Sequence, residues 1–134
     1  MNEKGNLSKP VIIVGGGPIG LIAALGLTHY GVPVLVLEAD SVLSVETKAG
    51  TILTRTLEVL DRYGAVEPVL NASVRIDEIG ETDLSSDVPQ KSILTSFIVE
   101  ETRFPFLINI PQHALEPVLR DSLEAVAPGS LRMS

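Results

Sequence analysis

VIIVGGGPIGLIAALGLTHYGVPVLVLE, residues 11 to 38, decides the fold. It opens on four apolar β-branched residues, Val11 to Val14, a run that predicts a strand buried on both faces. Gly15, Gly17 and Gly20 follow in the spacing G-x-G-x-x-G. The period then turns helical, with Ala24, Leu27 and Gly31 continuing the register. Val34 to Leu37 predict a second buried strand, and Glu38 closes it. The order is strand, glycine turn, helix, strand, acid.

Each position has a physical task. Gly15 permits the tight turn off the strand. Gly17 has no Cβ, so a pyrophosphate can approach the backbone. Gly20 and Ala24 are small enough for close packing of helix on sheet. The helix start offers free N–H groups and the positive end of its dipole to phosphates. Pro18 lies in the first turn, where a missing N–H does no harm. Glu38, at the tip of the second strand, can accept hydrogen bonds from ribose hydroxyls and disfavours a 2′-phosphate. The whole pattern predicts a bound dinucleotide. A turn that merely needs glycines leaves an acid at the end of an apolar strand unexplained.

Length and composition narrow the classes. A chain of 134 residues suffices for one domain with a core. Net charge is −7 and the ten basic residues are scattered, so nucleic acid is not an expected partner. Cysteine is absent, which excludes disulfides, thiolate metal sites and cysteinyl-linked flavin, and agrees with a cytoplasmic home. With only His29 and His113 as imidazoles, no histidine-rich metal site is expected. Residues 11–27 imitate a membrane span, but glycines and a proline interrupt them and the run is short for a bilayer. Residues 1–10 read as a flexible lead and 11–134 as the folded part. The mean hydropathy of +0.33 is high for so small a domain and suits a piece of a larger protein.

Further along, His29 reads as a favourable group at a helix C-terminus rather than as a catalytic one. The loop after Glu38 lies where parallel sheets bind ligands. Its Lys48 either meets a phosphate or the flavin region, or is a solvated lysine. Gly50 could let backbone approach a ring. Thr54 is the expected N-cap of a helix to about Tyr63, with Leu53, Leu57 and Leu60 on one face. Gly64 suits the position after it, and residues 65–71 predict a second short helix. Arg75 to Glu81 predict a short strand, Thr82 to Lys91 a turn, and Ile93 to Val99 and Phe104 to Ile110 two strands paired with each other. A helix from His113 to about Ala127 follows, with Pro117 uncomfortable inside it. Leu131 to Met133 begin another strand. No arrangement of nucleophile and base is visible.

With these residues in view, the chain resembles the N-terminal part of the FAD-dependent aromatic hydroxylases related to p-hydroxybenzoate hydroxylase. Three blocks carry the likeness: Val11 to Glu38; Lys48-Ala49-Gly50 with Arg55-Thr56-Leu57-Glu58 and Tyr63-Gly64; and Phe104-Pro105-Phe106 through Pro111-Gln112 with Leu115, Glu116 and Leu119. The resemblance implies an α/β fold, a Rossmann-like FAD-binding domain with a parallel sheet and the start of a small antiparallel sheet. It implies that Gly15, Gly17, Pro18, Ile19 and Gly20 cradle the FAD pyrophosphate. Glu38, with Ala39 beside it, would bind the adenosine ribose. Lys48 would approach the cofactor where the family often has arginine, keeping the charge and losing the planar fork. Gln112 would touch the FAD near its ribityl–phosphate chain.

The family's later Asp-Gly and Gly-Asp motifs, which serve FAD and NAD(P)H, occur nowhere in these residues. The resemblance therefore implies a truncated chain, missing a C-terminal part of the same polypeptide and inactive by itself. In the complete protein NAD(P)H would reduce the flavin, and O₂ would deliver one oxygen to a small aromatic substrate. Two other readings share the glycine pattern: an NAD-dependent dehydrogenase or flavin reductase, and a non-catalytic nucleotide-binding module.

Overall fold

The structure is a computed structural model and describes residues 9–40, 50–81, 90–92 and 98–134. Lys48 and Ala49 lie outside the described residues, as do residues 82–89 and 93–97. The chain divides into two compact units. One is built from residues 1–44 with 116–134, the other from 45–115.

The first unit holds a parallel sheet in the order β1 (Val11–Val14), β2 (Val34–Glu38), β8 (Leu131–Met133). Val11 is in register with Val34, and Val36 with Leu131. Parallel neighbours need a crossover, which α1 (Pro18–His29) supplies between β1 and β2. Leu21, Ala24 and Leu25 of α1 are buried with Val34 and Val36 of β2. The expectation for β1 is corrected here. Ile12 is 60% and Val14 86% exposed. The reason is topological: in this three-stranded sheet β1 is an edge and β2 is the central strand. β2 itself alternates, with Leu37 exposed between Val36 and Glu38.

The second unit centres on β7 (Leu107–Asn109), flanked by β3 (Thr51–Ile52) and β4 (Val74–Ile76), both antiparallel to it. Leu57 and Leu60 of α2 (Thr54–Arg62), and Val66 and Val69 of α3 (Val66–Asn71), are buried there. A separate hairpin pairs β5 (Ile79–Glu81) with β6 (Gln90–Ser92). Several sequence expectations change. The stretch from Arg75 to Glu81 is two strands belonging to two sheets, not one. Gln90 and Lys91 lie in a strand where a turn was expected, and Ile98 and Val99 lie in a turn where a strand was expected. The partners of β7 are β3 and β4.

Local chemistry explains two further differences. Thr54 does not cap α2; the N-cap is Leu53, and the Thr54 hydroxyl donates to the Phe104 carbonyl at 2.9 Å instead. Leu53, in extended backbone at the cap, therefore leaves the apolar face and is 57% exposed. α4 (Gln112–Val126) begins on the carbonyl of Pro111, which accepts from Ala114 and Leu115. Pro117 lies inside it. The carbonyl of His113 that loses its helical partner belongs to an exposed residue, which limits the cost. The division between the two units falls within α4, at Glu116.

Candidate functional site at the strand ends of the parallel sheet

β1, β2 and β8 run in the same direction, so Val14, Glu38 and Met133 come to one end of the sheet. The glycine turn leaves β1 at that end. Gly15 takes φ +108°, a conformation that L side chains rarely adopt, and its N–H donates to the Leu37 carbonyl at 2.8 Å. The turn thereby stays tied to β2 while the chain reverses into α1.

Gly20 is glycine for a steric reason. A Cβ there would stand 2.0 Å from the Gly15 carbonyl oxygen and 3.4 Å from Cγ2 of Ile13. The helix thus packs hard against its own glycine turn and against β1. Gly17 is different. It is the N-cap of α1, with extended backbone and no capping side chain, and Pro18 occupies the first helical position. Among the described residues beyond its own chain neighbours, a Cβ on Gly17 would have a single atom within 4 Å, Oε1 of Glu116 at 3.9 Å. None of the described residues therefore closes the face of the turn at Gly17. The first hydrogen bond of α1 runs from Leu21 N–H to the Gly17 carbonyl at 3.0 Å. The N–H groups of Ile19 and Gly20 precede it, and Pro18 has none. Ile19 is exposed beside them.

Glu38 points toward this turn. Its Oε2 accepts from Gly16 N–H at 2.6 Å and its Oε1 from Asp40 N–H at 3.0 Å. The Asp40 and Gly16 amides hold the carboxyl below its ordinary value, with partial burial opposing them. The acid is thus ionised and fixed, and each oxygen keeps acceptor capacity for a second donor. Ala39 is exposed, and its carbonyl accepts from the Ser134 hydroxyl at 2.7 Å. Ser134 N–H donates to the Glu38 carbonyl at 3.1 Å, which ties the end of β8 to the end of β2. An open cavity of about 330 Å³ lies here, lined by Val14, Leu37, Glu38, Ala39, Arg132, Met133 and Ser134.

The structure brings Gly15, Gly17, Pro18, Ile19, Gly20, Glu38 and Ala39 together in the first unit. Gln112 is the half-buried first residue of α4 and falls in the second unit. Lys48 lies outside the described residues. Gly50 has a role other than the one expected: a Cβ on it would meet the Ile110 carbonyl oxygen at 2.0 Å, so its bareness admits backbone, not a ring. His29 is exposed in the last turn of α1, edge-on to Tyr30 with ring centres 5.0 Å apart.

Two residues of the site were given no role by the sequence reading. Gly16 is buried, and a Cβ there would lie 3.0 Å from Cβ and 3.2 Å from Oε2 of Glu38. The third glycine of the run was its signal. Glu116 is buried although it is an acid. Its signal was position, because Glu116, Leu119 and Leu123 fall at helical spacings on the apolar stripe of α4.

The profile of the FAD binding domain family matches residues 8–134. The pentachlorophenol 4-monooxygenase of Sphingobium chlorophenolicum is 34% identical over 115 residues, covering 86% of this chain and 21% of that protein. The crystal structure of the p-nitrophenol 4-monooxygenase PnpA from Pseudomonas putida DLL-E4 superposes with a TM-score of 0.81 at 26% identity, over 93% of this chain and 31% of that one. The flavin-dependent monooxygenase PieE, solved with FAD and substrate, gives a TM-score of 0.74 at 28% identity, over 92% of this chain and 23% of that one. The chain therefore spans about a fifth to a third of the length of these relatives. Among the described residues no helix is long and apolar enough to cross a membrane.

Proposed function

This chain belongs to the FAD binding domain family, and from that premise we propose that residues 11–134 hold the adenosine diphosphate half of FAD at the mouth of α1. The face at Gly17, which none of the described residues closes, carries the proposal. The residues fit the cofactor: the turn is bare where a diphosphate would rest, the N–H groups of Ile19 and Gly20 are ahead of the first helical bond, and no side chain caps the helix. Gly15 and Pro18 shape the turn, and Gly20 brings the helix close to it. Glu38 takes the ribose hydroxyls, with Ala39 and the neighbouring cavity beside it. Lys48 and Gln112 are read as further cofactor contacts.

In the whole protein we read the activity as hydroxylation of a small aromatic substrate with NAD(P)H and O₂, in the cytoplasm, the flavin supplying the redox chemistry. The relatives support a phenolic substrate class, since two are named as monooxygenases of pentachlorophenol and p-nitrophenol. This chain's own part is to bind and orient. The chain spans only about a fifth to a third of its relatives' length, so the 134 residues alone are expected to form no hydroxylated product.

Titration of the purified chain with FAD, ADP and NAD tests the reading. FAD and ADP should bind more tightly than NAD, and Gly17→Val should abolish that binding while leaving the folded signal intact. Equal ADP affinity in parent and Gly17→Val would place the diphosphate elsewhere.

A further inference from the structure

Val14, Leu37 and Arg132 stand side by side in the first unit. Val14 is in register with Leu37, and Leu37 with Arg132, so they form one row across β1, β2 and β8. Residues in register point to the same face of a sheet. α1 covers the opposite face, where Cγ2 of Ile13 is 3.4 Å from the place a Cβ on Gly20 would take. The row therefore lies on the face that α1 leaves uncovered. It is exposed at all three positions, and Val14 most of all. All three residues line the cavity beside Glu38. Two apolar side chains thus adjoin a guanidinium, and Arg132 has no hydrogen bond or ion pair among the described residues.

Resting on the reading above, we propose that Arg132 is a specificity-determining residue of the nucleotide site, its guanidinium packing on the face of the base and favouring a purine. In a nucleoside the base leaves the ribose at the carbon next to the one bearing the 2′-hydroxyl. A ribose held by Glu38 therefore has its base within reach of the cavity of about 330 Å³ that Glu38 lines. The row suits a flat, uncharged ring. Val14 and Leu37 gain by covering apolar surface. The guanidinium is planar and weakly hydrated, so it stacks on a π-face, which an ammonium does less well. A purine offers two fused rings to that plane and a pyrimidine only one. Such a contact strengthens binding by about three- to tenfold. Glu38 does not compete for the guanidinium, since its oxygens accept from the Gly16 and Asp40 N–H groups.

The test compares the 134-residue chain with Arg132→Leu, which keeps an apolar stem beside Leu37 and removes the guanidinium. ADP and UDP share the ribose and the diphosphate and differ in the base. The parent should bind ADP more tightly than UDP. Arg132→Leu should weaken ADP binding by about three- to tenfold and UDP binding by less, so that the preference narrows. Equal losses for both ligands, or an unchanged ratio, overturn the proposal, since a role in the fold or in attracting the phosphates would move both alike. A parent that binds the two equally also overturns it, while the diphosphate reading stands. A parent that binds neither sinks both. The second readout is the Nε–H resonance of Arg132. A guanidinium on the face of a ring lies in its shielding region, so ADP should move this resonance upfield, and ribose 5-phosphate, which has no base, should not. No shift with ADP, or a downfield one such as a hydrogen bond to the ring edge gives, would show that Arg132 does not lie on the face of the base.

Discussion

Gly16 and Glu38, 22 residues apart in sequence, are joined by a 2.6 Å hydrogen bond from the Gly16 N–H to Oε2 of the acid. The bond fixes the glycine turn and the carboxylate as one object. It also means that the Gly16 amide is not offered to a phosphate.

That bond makes stability depend on pH. The Asp40 and Gly16 amides lower the folded-state pKa of Glu38 from its ordinary 4.5. The unfolded chain therefore takes up the proton more readily. The contribution is complete above the unfolded value and is lost as pH falls through the folded one. Glu38→Gln should be less stable than the parent at neutral pH, and the gap should close on acidification below about 4.5. Urea midpoints measured across that range check it. A gap that is constant with pH would mean the carboxylate gains nothing from the two amides.

Gly16→Ala tests the same object from the other side. The new Cβ would press on Cβ and Oε2 of Glu38 at 3.0 and 3.2 Å. The carboxylate can rotate away but the Cβ is fixed by the β2 backbone, so the fold should survive with a loss of about 1 to 2 kcal/mol. Glu38 would swing off the turn. ADP affinity should then fall several-fold, a change calorimetry reads directly.

Gly20→Ala should be the severe substitution of the turn. The added carbon would stand 2.0 Å from the Gly15 carbonyl oxygen, which is backbone and cannot rotate away. A loss of about 2 kcal/mol or more is expected in denaturant unfolding. Gly17→Ala, whose Cβ meets among the described residues one atom, Glu116 Oε1 at 3.9 Å, should cost at most about 1 kcal/mol, the size of an N-cap change. Equal losses at the two glycines would contradict the separation of a packing glycine from a ligand-facing one.

The glycine turn, α1 and Glu38 were legible because each is a local signal: spacing, small residues, an acid closing an apolar run. The elements beyond Gly50 were less so. Arg75 to Glu81 read as one strand because nothing local marks a strand that changes sheets between Ile76 and Ile79. The exposure of β1 was illegible because an apolar run reports what a strand is suited to, whereas sheet order decides what covers it. Thr54 looked like a cap because its type favours one. The Phe104 carbonyl, 50 residues away, took its hydroxyl instead. Glu116 lay in plain view on an apolar stripe, but its neighbour Gly17 is distant in sequence.

Gly50 shows how one such long-range contact can be tested. Its carbonyl accepts from Ile110 N–H at 2.8 Å, continuing the β3–β7 ladder beyond the Thr51–Asn109 pair. A Cβ on Gly50 would lie 2.0 Å from the Ile110 oxygen, 2.7 Å from its carbon and 3.2 Å from Pro111 N. All three are backbone atoms, so relief requires the two segments to part and the bond to lengthen. Gly50→Ala should cost about 2 kcal/mol or more. The diagnostic reading is local: the Ile110 amide should exchange with solvent much faster than in the parent. An Ile110 amide as protected as before would mean that the strand ends reach this pairing by a path the glycine does not control.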